Sequence, residues 1–88
     1  MQICKVIGHI WSTKKETSLE GLKFMVVREK DSTGSPFVAA DLVGAGEGEE
    51  VLVVSGSTAR YAVRNNVPID AAIVGIIDTC ETEKTGEE

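Results

Sequence analysis

Runs rich in Val, Ile and Thr recur along the chain and are broken by Gly, Asp, Ser and Pro, the mark of short strands punctuated by turns. The pattern places strands near Gln2 to Thr13, Leu22 to Lys30, Phe37 to Leu42, Glu50 to Ser55 and Ala71 to Thr79. Between the second and third, Asp31-Ser-Thr-Gly34 reads as a hairpin turn, with Gly34 available for positive φ. The rhythm changes over Ser57 to Asn65, STARYAVRN, where Ala59 and Ala62 favour a short helix, Ser57 is placed as its N-cap and Asn65-Asn66 can end it. Pro68 then keeps Val67 out of the α region and returns the chain to extended structure. The fold class expected is all-β with one short helix, a small five-stranded OB-like β-barrel, with strand order left open by the pattern.

Two strands depart from a simple barrel. A strand with one face in a core and one in water alternates apolar and polar residues. Ala71-Ala-Ile-Val-Gly-Ile-Ile77 and Val51-Leu-Val-Val54 do not alternate, so both of their faces need cover. Another subunit is one source of that cover, and the short helix of the same chain is the other.

Length sharpens the question of assembly. Eighty-eight residues form one domain near the lower limit for a self-sufficient core, so a disulfide, a metal or oligomerisation is expected to help. Cys4 and Cys80 lie nearly a chain length apart and form no CxxC pair or His/Cys cluster, which excludes a structural zinc site. The segment MQICKVIGHIWSTKK has no signal-peptide pattern, so the expected setting is cytoplasmic with both thiols reduced. No apolar stretch approaches the roughly 20 residues of a membrane-spanning helix. Oligomerisation remains. The domain is expected to occupy residues 1–80, followed by an acidic tail over 81–88.

The net charge of −5 is concentrated in that tail, where four glutamates face Lys84 alone and leave the body close to neutral. Nucleic-acid binding rests on clustered Lys and Arg, and Lys14-Lys15 is too small a cluster for it. An OB-type module for single strands remains the alternative, weakened further by the few aromatics available for stacking.

Gly44-Ala-Gly-Glu-Gly-Glu49 is the strongest local motif. It is not a phosphate loop, because Glu49 occupies the third glycine position of the dinucleotide fingerprint and no Lys-Ser/Thr follows. Its glutamates would also repel phosphate. The motif reads instead as a tight loop between the third and fourth strands. Asp41, Asp70 and Asp78 stand at strand boundaries, where Asp commonly accepts from turn amides. His9 is the sole histidine and reads as a half-exposed strand residue, and Cys4 as a small buried hydrophobe. A shared-site oligomeric enzyme using Asp41, His9 or Cys4 is the weakest alternative, since no nucleophile stands beside an oriented base. No catalytic, metal or cofactor residue is assigned.

Taken in order, Gly8, Ser12-Thr13-Lys14, Leu19, Gly21-Leu22-Lys23, Ala40-Asp41, Val43-Gly44-Ala45-Gly46 with Gly48-Glu49, Ser57 with Ala59-Arg60, and Asp70 with Val74 to Asp78 carry a resemblance. The chain resembles bacterial microcompartment vertex proteins of the EutN/CcmL type over about Met1 to Thr79. The resemblance implies an OB-like barrel that forms a cyclic pentamer and closes the vertices of a polyhedral shell built mainly of hexameric tiles. It further implies that Gly44, Ala45, Gly46, Gly48 and Glu49, with Ser57, Ala59 and Arg60, face neighbouring hexamers at the pentamer edge. Localisation would then be the shell of a microcompartment in the cytoplasm, with no membrane and no nucleic acid among its partners. Trp11, a short 30–37 connection and the acidic end after Thr79 depart from the pattern.

Overall fold

The computed structural model describes residues 1–11, 15, 17–63 and 67–78. Thr13, Lys14, the helix end at Arg64 to Asn66, Cys80 and the acidic tail, each assigned a role above, lie outside the described residues.

Five strands form where the β-branched runs predict them: β1 (Gln2–Ile10), β2 (Lys23–Glu29), β3 (Phe37–Asp41), β4 (Glu50–Ser55) and β5 (Ala71–Ile76). The helix α1 spans Ser57–Val63, and a single 3-10 turn at Thr17–Leu19 was not expected. The strands close into a barrel in the order β1-β2-β3-β5-β4. All pairs are antiparallel except β3 with β5, which run parallel. Closure removes the free sheet edges through which isolated β-proteins pair and aggregate.

Inward-facing residues alternate along each strand and meet in one core. Cys4 and Val6 of β1, Val27 of β2, Ala39 of β3, Val51 and Val53 of β4, and Ala71 and Ile73 of β5 pack together there. The registers agree with this reading, since Val6 faces Val27, Cys4 faces Val51 and Val53 faces Ile73.

The unalternating strands find their cover inside the subunit. The helix lies over the outer face of β4 and β5, where Ala59 packs with Val54 and Ala72, and Val63, Ile69 and Val74 close the cluster. The register between β4 and β5 also shifts at Val74, so that Leu52 faces Gly75 while Val53 faces Ile73. A bulge of this kind breaks the period of two and turns Val74 toward the helix. The outer face of β4–β5 therefore needs no neighbouring subunit at Val54 and Ala72, and the helix, rather than an interface, accounts for those apolar positions. Leu52 stays half-buried and Ile76 is exposed.

Two turn assignments are corrected. In the β2–β3 connection the positive φ belongs to Asp31, at 60°, and not to Gly34. Gly34 instead donates its N–H to the Ser32 hydroxyl at 2.9 Å and accepts from Arg28 Nε at 3.2 Å. At the helix start, Ser57 is already helical and Gly56 precedes it at φ 67°. Ser57 is thus the first helical residue, while the flanking position is a left-handed glycine that redirects the chain out of β4.

Candidate functional site

The acidic glycine loop joins β3 to β4, and its shape starts with one carboxylate. Asp41 ends β3, only 8 % exposed, with its side chain turned toward the backbone that follows. Its Oδ1 accepts from the N–H groups of Val43 at 3.1 Å, Gly44 at 3.0 Å and Ala45 at 3.2 Å, and its Oδ2 from Ala45 at 2.9 Å. Three successive amides thus converge on one internal anion. The concavity that could have cradled a phosphate is filled by the chain itself. Asp41 is one of the strand-end aspartates expected to bond turn amides, and it does so.

The second half of the loop is held in the same manner. Glu49 Oε1 accepts from Gly46 N–H at 2.7 Å, and Glu49 N–H donates to Gly46 O at 3.1 Å. Gly44 and Gly48 take φ of 81° and 91°, the left-handed region in which a Cβ is strained even though the space around both is open. Gly48 N–H donates to Val6 O at 2.8 Å and Val6 N–H to Glu49 O at 2.9 Å, so the loop returns onto β1 where that strand is bulged at Ile7. At its apex Glu47 Oε2 accepts from His9 Nδ1–H at 2.8 Å across 38 residues of sequence. His9 in turn meets the edge of Trp11, with ring centroids 5.6 Å apart and planes at 85°.

The eight residues assigned to an edge do not form one patch. Gly44, Gly48 and Glu49 are exposed and Gly46 half-buried on the glycine loop, at the start of β4. Ser57 and Arg60 are exposed on α1, beyond the other end of β4, a strand that spans roughly 17 Å. Ala45 and Ala59 offer no side chain to a neighbour: Ala45 belongs to the barrel core and Ala59, fully buried, anchors the helix to the sheet. Their role is to seat the segments that carry the exposed residues. Tyr61, beside Arg60 and largely exposed, was missed. So was the His9–Glu47 pair, for which no local sequence signal exists at such a separation.

Cys4 is a free, fully buried thiol, pushed above the ordinary thiol range first by burial and then by the charge of Glu29, against a hydrogen bond with Gln2. A thiol held neutral in this way is a packing group, not a nucleophile. Among the described residues no group of three or more His, Cys, Asp and Glu could hold a metal ion, and no helix is long and apolar enough to cross a membrane.

The chain is a small closed β-barrel with a self-clamped, solvent-facing loop between β3 and β4. Comparison with known proteins shows which family of such barrels it belongs to. Residues 1–78 match the model of the family described as ethanolamine utilisation protein EutN/carboxysome, and the chain belongs to this EutN/CcmL family. It is 49 % identical to the carboxysome shell vertex protein CcmL of Synechococcus elongatus, over 94 % of this chain and 89 % of that protein. Identity to the microcompartment shell vertex protein GrpN of Rhodospirillum rubrum is 47 %, over 93 % of this chain and 98 % of the relative. The solved structure of the GrpN pentameric shell protein superposes with a TM-score of 0.83 at 48 % identity, covering 93 % of this chain and all of that one.

Proposed function

We propose that this chain is a structural shell protein that forms homopentamers capping the vertices of a bacterial microcompartment, meets hexameric shell tiles at its edges and catalyses no reaction. The observation that carries the reading is the full-length likeness, in sequence and in backbone, to a shell protein described as pentameric. The arrangement of the surface supports it. A ring of identical subunits closes through heterologous contacts, in which one patch meets a different patch on the next copy. This subunit has two exposed segments of different chemistry on opposite sides of β4: an acidic, glycine-rich loop and a helix bearing Arg60. Arg60 carries five donors in a planar fork suited to carbonyls and carboxylates on a partner.

Native mass spectrometry of the purified chain at micromolar concentration tests the assembly directly. Five subunits are expected, and a stable monomer or dimer overturns the pentamer. Arg60→Ala is expected to leave the isolated oligomer intact while lowering its incorporation into shells co-expressed with hexameric tiles. Incorporation at the wild-type level would remove Arg60 from the edge.

A further inference from the structure

Where β1 ends and β2 begins, beside the connection that joins them, lies a cleft of about 420 Å³. Trp11, Leu22, Phe24 and Met25 give it an apolar lining, to which Lys15 and Lys23 add two ammonium groups. Trp11 is 87 % exposed and held edge-on against His9, which the Glu47 carboxylate fixes from behind. An exposed indole at the mouth of an apolar cleft is the kind of anchor around which binding sites are built. Among the described residues no acidic side chain lines the cleft, and neither lysine pairs with a carboxylate. In a chain of net charge −5 this is a local site of the opposite sign.

The two features select an occupant together. Ammonium groups favour carboxylates, and the apolar lining favours a large apolar side chain that would displace water from Trp11 and Phe24. We propose that this cleft docks a peptide segment of another protein, one carrying an aliphatic or aromatic anchor flanked by Asp or Glu. The chain's own acidic end, TCETEKTGEE over 79–88, supplies glutamates but no large apolar residue, so it matches the lysines and leaves the apolar lining uncovered.

Trp11 is the sole tryptophan, so its emission reports the site in the assembled protein. The probe is an acetylated, tryptophan-free peptide with a Leu-Phe pair between two Glu-Glu dipeptides. It is compared with a version in which Lys replaces every Glu and a version in which Ala-Ala replaces Leu-Phe. Saturable blue-shifted emission is expected for the first peptide only, and Lys23→Glu should weaken it about fivefold or more without changing the circular dichroism of the protein. Equal binding of the Lys peptide or the Ala peptide, indifference to Lys23→Glu, or no saturable change up to about millimolar peptide overturns the proposal. So does a Trp11 already shielded from acrylamide before peptide is added. Deleting 79–88 then tells the chain's own end from a second copy as the covering group, and either answer replaces the proposal.

Discussion

At the scale of the residue, environment decides which reading of a side chain holds. Cys4 looks identical in sequence whether it is reactive or inert; full burial in the barrel beside Val6 and Val51 makes it inert. Because its thiol is raised in the folded state, the neutral form is favoured there more than in the unfolded chain. The stability this contributes is complete below the ordinary thiol range and is lost as pH climbs through the raised folded value. Denaturant unfolding of the wild type should therefore weaken from about pH 8.5 upward by more than that of Cys4→Val. Parallel pH profiles for the two proteins would show that Cys4 does not couple to folding. The same dependence on surroundings applies to Ala45 and Ala59, whose side chains pack into clusters within the subunit. Alanine is small enough for an edge or a core, and only the packing around it distinguishes them.

At the scale of the element, strands were legible and their ends less so. The β-branched runs located all five strands, with β4 at its observed bounds, because period and composition act locally. Turn chemistry was harder to read. Asp31 takes the left-handed conformation expected of Gly34, since Asp tolerates that region and Gly34 is used instead to bond Ser32 and Arg28. The bulge at Val74 was illegible because it is defined by the partner strand, not by β5 alone. The loop after β3 was legible at Asp41, whose position at a strand end implied bonds to turn amides. Asp41→Asn should test that loop as a unit: it keeps the shape, removes the charge and turns one acceptor into a donor facing N–H groups. A loss of about 1–3 kcal/mol is expected in urea unfolding. A change below about 0.5 kcal/mol would mean that the three amides find other acceptors at no cost.

At the scale of the molecule, the sequence argument for assembly rests first on small size without staples and then on apolar strands with no polar face, and it is the second part that the structure revises. Helix α1 and the Val74 bulge account for Val54 and Ala72 within one subunit. Such long-range cover is not written in any window of sequence, since it depends on where residues 57–63 land on strands formed by residues 50–55 and 71–76. What survives is size. A barrel whose largest fully buried side chains are Ile73, a handful of valines and Cys4 has a modest core, without a metal cluster among the described residues to reinforce it. If assembly supplies the remainder, the unfolding midpoint should rise with protein concentration. A midpoint constant over a hundredfold dilution that also dissociates the oligomer would show that the lone barrel suffices.

The Asp41 clamp bears on the kinetics of any such meeting. Bonds to residues 43–45 from one side, and from Glu49 to Gly46 on the other, hold the loop in shape within a single copy. No ordering step has to precede or follow encounter, so its association rate is set by collision and orientation rather than by a search among loop conformers. The loop thus arrives as a preformed surface, and differences in affinity among its contacts are to be sought in how long they last.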